Sequence, residues 1–441
     1  MNHKEIPEKA IKGVAKLINE TIKRPSPISI DTIQGQGEAE TPHYFEITPF
    51  NEIDSSDRNF YAIDGSYNFQ EFYNGICIGL YTAGYICYHK GKQVKLNNGD
   101  NPIINGKLYA PENIMILNER DKEAIFDELF DLEPISKFVD FLGNKDDVFG
   151  FKGSFDDFKD EITINTSRLL SFCQTLLEWA LIYEIANLER TKQGDIILKD
   201  GNLRPLEIKQ EYLIKLGKYL FNKGTYLIGI TKNSPIKLYS SSTFAKIDNH
   251  LQTDLKYKFD FAETDERKRK ICCWLEVSDD ILISAYPESG QKKLFAQGKI
   301  DKITRPSMIG SKGITGGRGF GLYFIARLDY VEKLQNYDWV VADLNIFDAI
   351  PNIENYAKKD IGKAPRNIEK IGEIFQELTR LSQEHYILGY PYPLAEVHNF
   401  VTLKSSFKQE IISRVKLSLY KDTKMEHVDI ENLFLDTHNR F

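Results

Sequence analysis

A short apolar run that ends in a carboxylate organises the chain: Phe60-Tyr61-Ala62-Ile63-Asp64-Gly65-Ser66-Tyr67. Consecutive apolar residues without alternation are typical of a strand that is covered on both faces, as in a sheet flanked by helices. Asp-Gly is typical of a turn. We therefore expect a buried strand that presents Asp64 in a turn made by Gly65 and Ser66. A catalytic acid or a metal ligand is often placed at such a strand end.

Two further stretches carry side chains of the same chemical type. Ile196-Ile197-Leu198-Lys199-Asp200-Gly201-Asn202-Leu203 predicts a second buried strand that ends in Asp-Gly, with Asp200 in the position of Asp64. Near the other end of the chain, Gly389-Tyr390-Pro391-Tyr392-Pro393 precedes a helix predicted from about Leu394, which carries His398. Carboxylates suit Mg²⁺ or Mn²⁺, and a histidine is a further ligand or a proton carrier near neutral pH.

The strongest helical pattern, from Ser167 to about Arg190, offers a third carboxylate. Glu184 shares the apolar side of this helix, which favours an inward orientation. Glu178 lies on another face, but helix and strand lengths favour it. At about 1.5 Å per helical residue and about 3.3 Å per strand residue, the returning strand brings Asp200 level with Glu178. Glu184 would lie about 9 Å further along. We expect Glu178 to be the third carboxylate, with Glu184 as the alternative.

Together these segments resemble the NurA nuclease family. Its members carry an Asp-Gly-Ser strand near the start, a helix with a glutamate, a second strand ending in an Asp-Gly-Ser-Leu-like motif, and a late Tyr-Pro…His element. The resemblance runs from about residue 58 to about residue 410, and the order and spacing of the motifs are more specific than any one of them. The second motif departs from the pattern, since Asn202 stands where serine is common.

The resemblance implies an α/β fold of the RNase H-like type, with a mixed sheet flanked by helices. It also implies a deoxyribonuclease that depends on Mn²⁺ or Mg²⁺, with two ions held by Asp64, Glu178, Asp200 and His398, and with Tyr390 on the scissile phosphate. Family members resect DNA ends 5′ to 3′, and the expected function is a 5′ to 3′ exonuclease with single-strand endonuclease activity as a further expectation. They form homodimers around a DNA channel and dock onto a hexameric ATPase of the HerA type, in DNA end processing or in phage defence.

Composition places few limits on this interpretation. The 441 residues suffice for one large domain with insertions or for two domains. The 41% of hydrophobic and 27% of charged residues are ordinary for a soluble globular protein. The sequence contains no run of eighteen apolar residues and no signal-peptide pattern, so we expect a cytoplasmic protein without a membrane span. Five cysteines in no metal-binding spacing agree with a reducing compartment.

The net charge of −7 is unevenly distributed. Between Asp121 and Glu161, thirteen acidic residues accompany five basic ones, and phenylalanines recur. This stretch is too apolar for a disordered tail and predicts a helical insertion that serves as a docking surface or a lid. Between Gln291 and Gly319, seven basic residues accompany one acidic residue. A solvated face is the alternative for either stretch. The candidate DNA contacts are Lys232, after a predicted strand, and Arg305, Lys312 and Arg318 in the basic segment.

These features predict three regions. Residues 1–57 form an amphipathic helix and a linker. Residues 58–410 form the NurA-like nuclease domain, with the acidic insertion at about 119–161, and residues 411–441 form a C-terminal extension. Two other functions stay open at this point. A catalytically inactive RNase H-like DNA-binding module would not need all the acids and the histidine. A hydrolase with paired carboxylates, acting on a substrate other than nucleic acid, would need no metal.

Overall fold

The structure is a computed structural model. It describes Lys12 and residues 44–47, 56–72, 77–96, 106–109, 114–117, 122–150, 154–205, 207–232, 234, 236–237, 272–277, 321–328, 339–356, 364–383, 389–403, 405–422 and 426–434. The predicted N-terminal amphipathic helix, apart from Lys12, and the basic segment with Arg305, Lys312 and Arg318 lie outside these residues.

One mixed sheet forms the centre of the described part of the chain. Its strands are β1 (Phe45–Glu46), β2 (Asn59–Glu71), β3 (Cys77–His89), β4 (Lys92–Val94), β5 (Gly106–Tyr109), β6 (Ile114–Leu117), β7 (Ile196–Asp200), β8 (Tyr226–Thr231), β9 (Cys273–Glu276), β10 (Gly321–Arg327) and β11 (Trp339–Asn345). The order is β1-β9-β10-β11-β8-β7-β2-β3-β4, and β5 and β6 both pair with β3. β7 is parallel to β2 and to β8, whereas the other neighbours are antiparallel.

Helices cover both faces of this sheet. They are α1 (Lys122–Asp131), α2 (Glu133–Leu142), α3 (Lys145–Val148), α4 (Phe155–Thr163), α5 (Thr166–Ala186), α6 (Gln210–Lys223), α7 (Ile346–Ala349), α8 (Ile368–Gln383), α9 (Tyr392–Val401), α10 (Ser405–Asp422) and α11 (His427–Leu433), with a 3₁₀ turn at Ile353–Asn355. The fold is therefore mixed α/β, as the sequence predicts.

Alternate residues of β2 enter two different cores, because successive side chains of a strand point to opposite faces. Tyr61 and Ile63 pack into the cluster that contains α5. Phe60 and Ala62 pack into the cluster that contains α8 and α9. All four side chains are buried, so the predicted strand with two covered faces is confirmed.

The turn predicted after Asp64 is wrong. β2 continues to Glu71, and Gly65 and Ser66 lie inside it, opposite Ala83 and Thr82 of β3. Pairing along the whole length of β3 keeps the chain extended at this point. Gly201 does follow β7 in a turn, with φ of 96°, which is the left-handed region that favours glycine.

The acidic stretch contains four helices, α1 to α4, as predicted. Its phenylalanines pack against α5. The ring of Phe172 on α5 lies 6.1 Å from that of Phe126, 6.0 Å from that of Phe149 and 5.3 Å from that of Phe158. The acidic helices are thus built into the core on the α5 face of the sheet. Their use as a docking surface or a lid stays a prediction.

Helix α5 ends at Ala186, earlier than the predicted Arg190. Its last carbonyl groups accept from side chains beyond the helix, at 2.8 Å from Nδ2 of Asn187 to Tyr183 and at 2.6 Å from Oγ1 of Thr191 to Ile185. Among the described residues α5 alone has the length and composition of a membrane span, but 72% of its apolar window is buried inside the structure. Its apolar surface is therefore used in the core of this fold.

Candidate metal centre

The parallel pairing of β2 with β7 brings two carboxylates next to each other, where β7 ends beside the middle of β2. Ile63 lies opposite Lys199 in this pairing, so that Asp64 and Asp200 follow as the next residues of the two strands. The turn after β7 packs against the neighbouring strand β8. Its Gly201 amide donates to the carbonyl oxygen of Ile230 at 2.9 Å. A side chain at Gly229 would meet the Gly201 carbonyl oxygen at 2.5 Å, so glycine is required there for the turn to lie this close.

Helix α9 brings a histidine to the same place from far along the chain. Nδ1 of His398 lies 2.8 Å from Oδ2 of Asp64. The segment after α9 is attached to β2 as well. The Leu403 amide donates to Oγ of Ser66 at 3.2 Å, and Nδ2 of Asn68 donates to the Leu403 carbonyl oxygen at 3.4 Å. Three residues of β2 thus fix α9 and its histidine against the strand.

Asp64, Asp200 and His398 form a group with metal-binding chemistry. One possible ligand atom from each lies within 4.8 Å of the others. The Asp64 side chain is 9% exposed and that of His398 is 56% exposed, so the group is buried on one side and accessible on the other. Burial and the charges of Asp200 and Glu178 raise the pKa of Asp64 to about 6, while hydrogen bonds to His398 and the Gly65 amide oppose that rise. The group therefore has an excess of negative charge, which a cation would offset.

A tyrosine and a lysine lie beside this group. The Tyr390 side chain is buried, and its hydroxyl lies close to the Asp200 carboxylate. Burial and the nearby carboxylates of Asp200 and Asp64 raise the pKa of Tyr390, so its hydroxyl stays protonated as a donor. Lys232 follows directly on β8, and its Nζ lies 3.8 Å from the centre of the Tyr390 ring. A donor and a positive charge thus adjoin the carboxylates.

Glu178 reaches β2 from the opposite face of the sheet. It is 3% exposed, on α5, whereas α9 and His398 cover the other face. A Cβ atom at Gly65 would lie 2.6 Å from Oε1 of Glu178. The absence of a side chain at Gly65 therefore lets the glutamate pack directly over the strand, next to Asp64. This close approach, and not a turn, requires the glycine of the Asp-Gly-Ser motif.

A family model for the NurA domain matches residues 58–403. The chain belongs to the NurA family. The resemblance inferred from the sequence motifs is thereby confirmed, and the family is one of nucleases. No curated protein matches the chain.

Solved NurA structures are similar to the chain over nearly its whole length. The crystal structure of the NurA nuclease from Sulfolobus solfataricus has 14% sequence identity and a TM-score of 0.40, covering 96% of this chain and 99% of that one. A second NurA crystal structure has 12% identity and a TM-score of 0.33, with coverage of 96% and 99%. A NurA structure bound to dAMP and manganese has 12% identity and a TM-score of 0.32, with coverage of 98% and 99%.

Within the NurA domain, the two candidate glutamates have different surroundings. Glu184 accepts a hydrogen bond from the Tyr85 hydroxyl at 3.3 Å, and Tyr85 lies opposite Ile63 in the sheet. Glu178 contacts Lys199, the residue before Asp200, as the helix and strand lengths predict. Glu178 is nevertheless outside the group whose ligand atoms lie within 4.8 Å of one another. Its assignment as a metal ligand stays a prediction.

Among the buried charges of the described residues, one lies directly beside the candidate metal centre and has no role in the sequence patterns. Lys199 is 6% exposed. Its Nζ lies 2.6 Å from Oε2 of Glu178 and donates to the Asp200 carbonyl oxygen at 2.7 Å. The sequence does contain a signal, because a lysine inside an apolar strand is rarely buried without a partner of opposite charge.

Proposed function

We propose that the chain is a deoxyribonuclease that depends on a divalent metal. Its active site, which hydrolyses phosphodiester bonds, would be formed by Asp64, Asp200 and His398. The observation that supports this most directly is the convergence of these three side chains within 4.8 Å, inside a NurA domain. The residues come from β2, β7 and α9, so the convergence depends on the whole central part of the sheet.

The donor set fits Mn²⁺ or Mg²⁺. Carboxylate oxygens suit both ions, and an imidazole nitrogen shifts the preference towards Mn²⁺. Asp64 and Asp200 would hold the ion, with His398 as a further ligand. The excess negative charge expressed in the raised pKa of Asp64 favours an ion at this position. When bound, a divalent ion would make water more acidic and offset the charge of the phosphate.

The side chains around the ligands have separate tasks. When Nδ1 of His398 donates to Asp64, the other ring nitrogen is left as an acceptor, for the metal or for a proton. The hydroxyl of Tyr390 would donate to an oxygen of the scissile phosphate, because it lies next to Asp200 and stays protonated there. Lys232 would add a positive charge next to that phosphate.

The finer features of the family are proposed here on the resemblance. The sheet segment β4-β3-β2-β7-β8, with antiparallel pairing up to β2 and parallel pairing from β2 onward, supports an RNase H-like core. We propose DNA as the substrate, cleavage in the 5′ to 3′ direction, a homodimer, and work with a HerA-type hexameric ATPase in DNA end processing or phage defence. Lys232 and the basic residues Arg305, Lys312 and Arg318 would contact DNA.

A cleavage assay on DNA labelled at either end tests this proposal. Wild-type protein is expected to cut with Mn²⁺ or Mg²⁺ and to be inactive in EDTA. Asp64→Asn and Asp200→Asn are expected to reduce the rate by at least about a thousandfold, since each removes a charged metal ligand. Asp156→Asn, at a side chain that is 84% exposed, is the matched control and keeps full activity. Cleavage that persists in EDTA, or in either site variant, would contradict the proposal and favour a metal-independent hydrolase.

A further inference from the structure

The buried pair of Lys199 and Glu178 has a consequence for the number of metal ions. A second ion in this site would need a third carboxylate, and Glu178 is the nearest candidate. Both oxygens of Glu178 are already engaged. Oε2 lies 2.6 Å from Nζ of Lys199, and Oε1 accepts from Nε2 of Gln174 at 2.7 Å. The side chains of Lys199 and Glu178 are 8% and 4% exposed, so water does not replace either partner.

We propose that Lys199 takes the electrostatic place of a second metal ion, by holding Glu178 in a buried ion pair, so that Asp64, Asp200 and His398 bind one divalent ion per chain. This inference rests on the metal-dependent nuclease proposed above. It assigns to Lys199 the role of a positioning residue that determines the metal content of the site.

The charges of the site balance in this arrangement. Asp64 and Asp200 together carry two negative charges, which one divalent ion offsets. Glu178 carries a third, which the ammonium group of Lys199 offsets at contact distance. A second divalent ion at Glu178 would have to displace this ammonium group and leave it buried beside two metals. Burying a charge without its partner is strongly unfavourable.

The backbone makes Lys199 a fixed part of the site. Lys199 is the penultimate residue of β7, so its side chain lies on the α5 face while Asp200 serves the α9 face. Its ammonium group also donates to the Asp200 carbonyl oxygen at 2.7 Å. One side chain therefore connects Glu178 to the main chain of a proposed metal ligand. Lys199 cannot swing away without losing both contacts.

Manganese binding, measured by electron paramagnetic resonance titration on the full chain, tests the inference without any activity readout. Wild-type protein is expected to bind one Mn²⁺ per chain. Lys199→Met keeps the length of the side chain but removes the charge, and it is expected to bind two, because Glu178 becomes an uncompensated carboxylate. Lys199→Arg keeps the charge and is expected to bind one. Two ions of similar affinity on the wild-type chain would overturn the inference.

The double variant Lys199→Met, Glu178→Gln tests whether Glu178 acts only as the partner of Lys199 or also as a metal ligand. It replaces two opposite charges by neutral side chains, so the net charge near the metal is unchanged. If Glu178 is no ligand, this variant binds one Mn²⁺ with wild-type affinity, within about threefold. A loss of affinity of tenfold or more would make Glu178 a ligand and overturn the inference. This reading needs only that the double variant folds, since it leaves no unpaired buried charge.

The same titration distinguishes failure of this inference from failure of the proposed nuclease centre. Asp64→Asn is expected to abolish the binding of the single ion. Wild-type protein that binds no Mn²⁺, or binding that survives Asp64→Asn, would contradict the centre itself and the inference with it. Two ions on the wild-type chain, both lost in Asp64→Asn, would leave the centre intact and refute only the role of Lys199.

Discussion

Burial and two neighbouring carboxylates, Asp200 and Glu178, change the pKa of Asp64 in the same direction. They raise the pKa from its ordinary value of 3.8 to about 6. The native state therefore binds more protons than the unfolded chain between these values, and the free energy of unfolding falls as the pH rises from about 4 to about 6. The loss amounts to about 3 kcal/mol, at 1.36 kcal/mol per pKa unit, and it persists at higher pH. The site is thus destabilising until a cation occupies it.

Asp64→Asn is expected to remove this loss. In EDTA at pH 7.5 the variant should be more stable than wild type, and at pH 4 the two should be equal. Addition of Mn²⁺ should raise the stability of wild type but not that of the variant, because only wild type keeps the charged ligand. Urea unfolding at pH values from 4 to 8 measures the difference between the two proteins. A difference that does not change with pH would mean that Asp64 has an ordinary pKa.

The close contacts around Gly65 lead to a second prediction about a single residue. A Cβ atom there would lie 2.5 Å from Cγ of Gln174 and 2.6 Å from Oε1 of Glu178. Gly65→Ala is therefore expected to displace both side chains, to lower stability by about 1–3 kcal/mol, and to reduce activity at least tenfold. Gly372→Ala is the control. No atom lies within 4 Å of its added carbon in α8, so it should gain about 0.5–1 kcal/mol with full activity. Equal behaviour of the two variants would exclude the steric role.

At the scale of elements, β2 positions α9. Ser66→Ala removes the acceptor of the Leu403 amide and should cost about 1 kcal/mol. It should also lower kcat severalfold, because His398 lies on the helix that this contact holds. Ser154→Ala is the matched control, since it removes the N-terminal cap of α4 and should cost a similar 1 kcal/mol or so without loss of activity. Thermal unfolding and initial rates measure both effects. An equal fall in kcat in both variants would assign the effect to general instability.

The elements differ in how far the sequence predicts them. The uninterrupted apolar runs of β2 and β7 and the helical period of α5 predict these elements. The fixed rise per residue of helix and strand predicts the level at which Glu178 meets β7. The last carbonyl groups of α5 accept from Asn187 and Thr191, and the continuation of β2 depends on β3. The pairing of Lys199 with Glu178 depends on which face of β7 meets α5. Such contacts between distant segments are absent from local patterns.

For the whole molecule, charge separates into regions. The stretch that holds α1 to α4 carries a surplus of eight negative charges, more than the net −7 of the chain, while the segment from Gln291 to Gly319 has seven basic residues and one acidic residue. Packing of phenylalanines on α5 fixes the acidic helices in the core. A DNA strand with its phosphates would be repelled by the acidic helices and attracted by the basic segment. The distribution of charge along the sequence thus predicts that DNA contacts the basic segment and avoids the acidic helices.

Simultaneous change of Lys312 and Arg318 to Ala tests the contribution of the basic segment to DNA binding. Each phosphate contact releases counterions, so the loss of two contacts should weaken DNA binding and reduce the slope of log K against log salt by about 1.8. Fluorescence anisotropy in EDTA measures binding without cleavage. Lys137→Ala with Lys218→Ala removes the same charge at side chains that are 66% and 50% exposed, and it should leave the slope unchanged. If both double variants lower the slope equally, net charge controls binding. If neither does, the basic segment is a solvated face.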